Sequence, residues 1–202
     1  TVDLAAEHAL KLISDGATMI DVGGESTRPG ATRIGAEEQI TRTQPVIEAI
    51  RAVSDVCISI DTTLSKVAKS ALHAGADVIN DVAAGEEDQE MFALAAETGA
   101  GLVLMHRRVS PELDQYSDTY QNERNSSDIV TEVSIWLQGR AEKAISAGVC
   151  VSAIALDPGL GFGKSVEQNW HLVEEANIFV KLGYPVYMGA SRKSFIGATA
   201  GI

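Results

Sequence analysis

Six times along this chain a short apolar run ends in a polar residue and a helix-like segment follows. The runs at 18–22 and 57–60 end around Asp21 and Asp61, and the run at 78–82 carries Asn80 and Asp81. The remaining three end at His106, at Asp157 and at the turn Ser191-Arg192-Lys193-Ser194. Between them apolar residues recur three and four positions apart, as at Val2, Leu4, Ala9, Leu12 and Ile13 before Gly16. The spacing predicts helices over 1–15, 37–53, 65–74, 88–98, 127–147 and 166–182, with a last one starting near Ser191. Strands are predicted at 18–22, 57–61, 77–82, 102–106, 154–156 and 185–190. Pro45, inside the second helix, predicts a kink or a late first turn. The polar stretch 107–126 is long for a structureless loop in a compact domain, and such loops are usually functional or mobile.

Strict strand–helix alternation implies parallel strands joined by right-handed crossovers. Two architectures satisfy it. An open doubly wound sheet gathers only the strand ends beside its switch point. A (β/α)8 TIM barrel brings every C-terminal strand end to one face. Closing such a barrel takes one more strand before Thr1 and a strand and helix after Ile202, so the chain reads as an open sheet or as a piece of a barrel.

Composition narrows the class. With 202 residues, 45% of them hydrophobic, the chain suits a single domain over residues 1–202. No apolar run approaches the ~18 residues of a membrane span, and no basic segment followed by an apolar one opens the chain as a signal peptide would. A cytoplasmic protein is expected, with Cys57 and Cys150 as buried, reduced thiols. The net charge of −12 argues against a general nucleic-acid binder. It leaves room for an anionic small molecule, because Arg28, Arg192 and Lys193 form local positive candidates.

Each strand end carries its own chemistry. Asp21-Val-Gly-Gly-Glu-Ser-Thr-Arg-Pro-Gly30 offers two hydroxyls and a guanidinium on a flexible turn, suited to phosphate or carboxylate, or it is an ordinary solvated loop. Asp61 and Asn80 end consecutive strands and are either capping residues or readers of the donor and acceptor edge of a planar heterocycle. In Asp157-Pro-Gly-Leu-Gly-Phe-Gly-Lys164 the glycines allow close backbone approach and Phe162 can wall a ligand, but the spacing does not match a phosphate-binding P-loop. Gly189-Ala-Ser-Arg-Lys-Ser194 sets hydroxyls and two cations at a helix start, which favours an anion. Met105 can pack on a flat ring, and His106 reads as a structural histidine before an acid or base. No spacing suggests a structural zinc site or a Ser/His/Asp triad.

Together, DVGGESTRPGA at 21–31, SIDT at 59–62, INDV at 79–82, DPGLGFGKS at 157–165 and GASRKSFIG at 189–197 resemble the dihydropteroate synthase family over essentially the whole chain. The resemblance implies a TIM barrel, of which the chain covers about strands 2–7 and helices 1–7. It implies a transferase of folate biosynthesis that joins 6-hydroxymethyl-7,8-dihydropterin diphosphate to p-aminobenzoate and releases pyrophosphate with Mg²⁺. By the same resemblance Asp61, Asn80, Asp157 and Lys193 hold the pterin between Met105 and Phe162. Thr27, Arg28 and Pro29 close over p-aminobenzoate and the diphosphate, and Ser194 meets the p-aminobenzoate carboxylate. Asp61, Asp157, Lys193 and Arg28 are the expected catalytic set. The Asn that meets Mg²⁺ in the family is expected before residue 1, so no metal ligand is expected within the chain, and the full-length family habit is a homodimer. Where relatives carry LMHMxG, this chain reads LMHRR at 104–108. The alternatives are a methyltetrahydrofolate-binding module of corrinoid methyltransferases, against which STRPG and SRKS speak, and an inactive fragment.

Overall fold

The computed structural model describes residues 1–120 and 129–201. Helix α1 (Val2–Ser14) opens the chain, followed by β1 (Met19–Gly23), α2 (Ala36–Arg51), β2 (Cys57–Asp61), α3 (Ser65–Ala74), β3 (Val78–Asp81), α4 (Met91–Thr98) and β4 (Gly101–Met105). Then come α5 (Ile129–Ser146), β5 (Ile154–Asp157), α6 (Val166–Glu174), α7 (Ala176–Val180) and α8 (Ser194–Ala200). The strands form one parallel sheet in the order β1-β2-β3-β4-β5, each pairing with its successor. That order has no reversal, so a doubly wound sheet with a switch point is excluded and the strands form a continuous arc of a barrel wall.

The helix-facing side of the arc is the core. Ile58, Ile60, Ile79, Leu104 and Leu156 are fully buried against Ile47, Ile50, Val67, Met91, Val133, Leu137 and Leu172 from the helices. Burying side chains of this size contributes roughly 1.5–3 kcal/mol each. Val82, Met105 and Phe162 form a separate small apolar cluster on the other side.

Four expectations need correction. The sixth strand, expected over 185–190, is a single parallel bridge between Val186 and Leu156. Leu156 N–H donates to Pro185 C=O and Tyr187 N–H to Leu156 C=O, both at 2.9 Å. Pro185 has no N–H of its own to extend the ladder. The expected helix 166–182 divides at Glu175, whose φ/ψ of −97°/21° leaves the helical region. The helix expected from Asp88 begins at Met91, because the Asp88 carboxylate instead accepts from the N–H groups of Ser65 and Glu90. Pro45 lies in the middle of an unbroken α2 and not in its first turn. Of the stretch 107–126, residues 107–120 are bonded to the loops at Gly30 and Gly163 and to Ser194, and 121–126 lie outside the described residues.

Candidate active site

Strand register does most of the assembly. In the parallel pairs Asp21 lies beside Ser59, Asp61 beside Asn80 and Met105 beside Asp157. Neighbours in register share a face, so the polar strand ends meet on the concave side of the arc. There Asp21, Asp61, Asn80, Val82, Met105, Asp157, Phe162, Tyr187 and Lys193 line a cavity of about 190 Å³. Ser59 Oγ–H donates to Asp21 Oδ1, and Asn80 Nδ2–H donates to Asp21 Oδ2 at 3.3 Å. That leaves Asp61 Oδ1 and Asn80 Oδ1 buried with no partner. An unsatisfied buried acceptor costs about 1–3 kcal/mol, so two of them facing one cavity point to a ligand that donates hydrogen bonds.

Electrostatics agree. Burial pushes the Asp61 carboxyl well above the usual carboxylate range, and the charges of Asp21, Asp81 and Glu25 add to it while Lys193 opposes. Burial likewise lifts Asp157 to about 6, against the Gly159 N–H, 2.7 Å from Asp157 Oδ1, and the charges of Lys193 and Lys164. Burial lowers the Lys193 ammonium, with Asp157 and Asp61 pulling the other way. Its Nζ sits 4.1 Å from the centre of the Phe162 ring, a cation–π contact that keeps charge and aromatic wall together.

A second cavity, about 360 Å³, adjoins the first and shares Thr27, Phe162, Ser191 and Lys193 with it. Arg28, Pro29, Tyr116, Gly161, Arg192 and Ser194 complete its lining. Arg192 holds a left-handed φ of 59°, an uncommon conformation for a non-glycine residue and frequent at functional turns.

Every site residue expected from the sequence thus lines one of two adjoining cavities: Asp61, Asn80, Met105, Asp157, Phe162 and Lys193 the first, and Thr27, Arg28, Pro29 and Ser194 the second. His106 is elsewhere. It is buried edge-on against Trp136, with ring centres 4.9 Å apart, and burial holds its imidazole neutral at about 2. Sequence reasoning missed Asp21, Tyr187 and Tyr116 as lining residues. Asp21 had a usable signal, since it ends β1 as Asp61 ends β2.

Lys164, which closes the same glycine-rich motif as Phe162, does something else. It is fully buried, and its Nζ donates to the carbonyls of Gly159 at 2.8 Å, Phe162 at 3.0 Å and His106 at 3.2 Å. Three acceptors call for three N–H donors, which only the ammonium has. Burial lowers this group to about 7, with Asp157 opposing. Lys164 therefore ties the loop after β5 to the end of β4. The packing there is so close that a Cβ at Gly159 would lie 1.9 Å from His106 O.

A charge network joins the loops at the rim. Arg33 donates to Glu87 at 2.9 Å through both terminal nitrogens, and to Glu25 at 3.2 Å and Thr63 at 3.1 Å through Nε and NH2 respectively. Arg107 also donates to Glu87. Burial works against the Glu87 charge, but these donors outweigh it and hold the carboxyl down at about 2.

Fold and site together define a class: a (β/α)-barrel protein with a cavity at its strand ends lined by buried, unpartnered acceptors. Residues 1–201 match the family described as pterin binding enzyme. The dihydropteroate synthase of Streptococcus pyogenes serotype M3 is 45% identical over 201 residues, 100% of this chain and 71% of the relative. A structure of Yersinia pestis dihydropteroate synthase with a sulfonamide drug superposes with a TM-score of 0.91 at 36% identity, covering 100% of this chain and 71% of that one. The Xanthomonas albilineans enzyme with 4-aminobenzoic acid gives 0.89 at 37% identity, covering 99% and 68%. The chain belongs to the pterin binding enzymes, and among them to the dihydropteroate synthase family.

Proposed function

We propose that the chain carries the dihydropteroate synthase reaction, joining 6-hydroxymethyl-7,8-dihydropterin diphosphate to p-aminobenzoate. The observation that carries this reading is the pair of adjoining cavities, one with unpartnered acceptors on Asp61 and Asn80, the other lined by Arg28, Arg192, Lys193 and Ser194. In this reading the pterin's ring N–H groups meet Asp61, Asn80 and Asp157 between Met105 and Phe162. The bond between the exocyclic methylene carbon and the diphosphate oxygen breaks, and the diphosphate leaves with the electron pair. The buried carboxylates favour the positive charge that develops on the ring, and Arg28 and Lys193 favour the departing anion. The amine nitrogen of p-aminobenzoate bonds to the methylene carbon and loses one proton, giving 7,8-dihydropteroate. Ser194 and Arg192 orient the benzoate end, so the amine needs only to be held in line.

Mg²⁺ belongs to this reading as the partner of the diphosphate. Among the described residues no three His, Cys, Asp or Glu side chains converge as a metal site, and no step above is routed through the ion. Work in the cytoplasm belongs to this reading as well; Cys57 is half-buried and Cys150 exposed, not both buried as the sequence suggested. A homodimer through the late helices, the habit of the resembled family, also belongs to this reading.

The test is incubation of the chain with both substrates and Mg²⁺, following dihydropteroate and pyrophosphate. Product that disappears in Asp157→Ala and Lys193→Ala supports the assignment. Turnover unaffected by either substitution sinks it, and methyl transfer from methyltetrahydrofolate would replace it with another chemistry.

A further inference from the structure

We propose that Tyr116 is a specificity-determining wall of the second cavity, selecting a flat aryl ring there; this rests on the reading of that cavity as the aryl-amine site. Nothing in the sequence pattern distinguishes Tyr116 within its polar loop. The tertiary structure does. Two residues that flank it closely are locked: Asp114 is 6% exposed and Ser117 1%, whereas Tyr116 itself is 51% exposed and lines the cavity.

The locking is specific to the site. Gly30 N–H, next to Pro29 of the cavity wall, donates to Pro111 C=O at 2.8 Å. Asp114 accepts from Gly163 N–H at 3.2 Å, from Tyr120 O–H at 2.6 Å and from Gln115 N–H at 2.8 Å. Ser117 N–H donates to Ser194 Oγ at 3.0 Å, and Ser117 Oγ accepts from Asn169 Nδ2–H at 3.1 Å. The segment is thereby bonded to three elements that line the cavity: the loop after β1, the glycine-rich loop after β5 and the start of α8. A large aromatic left open on a turn held this firmly costs little further entropy when it covers a ligand. The cavity also holds Phe162 and Pro29 as apolar surfaces, with Arg28, Arg192, Lys193 and Ser194 as partners for a carboxylate. An aromatic acid fits that lining, and Tyr116 adds a second aromatic face beside Phe162.

The test compares Tyr116→Ala and Tyr116→Phe with the unaltered chain, with Asp157→Ala as the control for the reaction itself. Tyr116→Ala should raise KM for p-aminobenzoate about 2- to 12-fold, the range for loss of an aromatic pairing, with KM for the pterin diphosphate and kcat within about twofold. Tyr116→Phe should restore KM, because the ring and not the hydroxyl does the selecting. The preference for benzoate over cyclohexanecarboxylate as competitive inhibitors should shrink in Tyr116→Ala, a readout that a merely structural role would not move. An unchanged KM and inhibitor preference in Tyr116→Ala, or an equal rise in both KM values, overturns the inference while leaving the reaction standing. An unaltered chain that makes no dihydropteroate overturns the underlying reading and the inference with it.

Discussion

The two cavities share a border but are built in opposite ways. The first hangs on strand ends: Asp21, Asp61, Asn80 and Asp157 are set by backbone register within a buried sheet. The second hangs on loops: Thr27–Pro29, Tyr116 and Ser191–Ser194 are held by side-chain and backbone hydrogen bonds between distant segments. The strand-borne half is rigid and carries unsatisfied acceptors, the arrangement expected where charge develops. The loop-borne half carries the cations and the aromatic wall, and long-range hydrogen bonds between its loops hold it together. Two lysines mark the contrast inside one wall, since Lys164 clamps the loop from beneath while Lys193 faces both cavities.

Substitution can separate the halves. The largest expected effect is on chemistry: Asp157→Asn should lower kcat/KM at least about 100-fold, measured as dihydropteroate formation, with an unliganded melting temperature at pH 7 no lower than before, because a buried charge has been removed. A destabilised Asp157→Asn would mean that the strand-end carboxylate is structural.

The lysines should then diverge. Lys164→Met leaves the carbonyls of His106, Gly159 and Phe162 without their donor and should cost roughly 3 kcal/mol of stability in urea unfolding. Lys193→Met should cost less than 1 kcal/mol yet abolish turnover. Equal stability losses would erase the distinction.

Acid should act on the strand-end carboxyl and on the rim network with opposite sign. Asp157 has a folded pKa near 6, above its ordinary 3.8. Its contribution is therefore present below pH 3.8 and lost as pH rises through about 6, by up to roughly 3 kcal/mol. Glu87 is held at about 2 against an ordinary 4.5. Its contribution is present above pH 4.5 and lost as pH falls toward 2, by about 1 kcal/mol after solvent screening of a half-buried group. Urea titrations of Asp157→Asn and Glu87→Gln across pH 2–7 should each remove one limb.

The smallest effect is at the rim. Glu87→Gln weakens the anchor of Arg33 in the loop after β1 and should raise KM for p-aminobenzoate a few-fold, roughly a 1 kcal/mol effect, without altering pterin affinity. A parallel rise in pterin KM would tie the rim network to the first cavity instead.

Asp61, Asn80 and Asp157 were legible as strand ends because a short apolar run reports a strand and where it stops; their site role came from the resemblance, and parallel register brings them together. Asp21 was visible by the same rule and went unassigned. Lys164 and Lys193 look alike in the chain, each closing a glycine- and serine-rich turn. Resemblance singles out Lys193 for the ligand site, and packing adds that Lys164 is turned under its loop while Lys193 lines both cavities. The folding of 107–120 was hidden because its bonds reach far along the chain, from Gly163 N–H to Asp114 across 49 residues and from Ser117 N–H to Ser194 across 77. The sixth apolar run was real, but a strand needs a ladder, and Val186 makes only the one bridge to β5.

What the sequence determined by itself is the strand–helix alternation and the polar residues that end the strands, because these depend on local periodicity, and, through the order of its motifs, the family it resembles. The tertiary structure alone decided which acceptors stay unpartnered, that Lys164 is turned under its own loop and that a polar loop becomes a cavity wall. Those outcomes depend on which distant groups compete for each hydrogen bond, and that competition is settled only when the strands have brought them together.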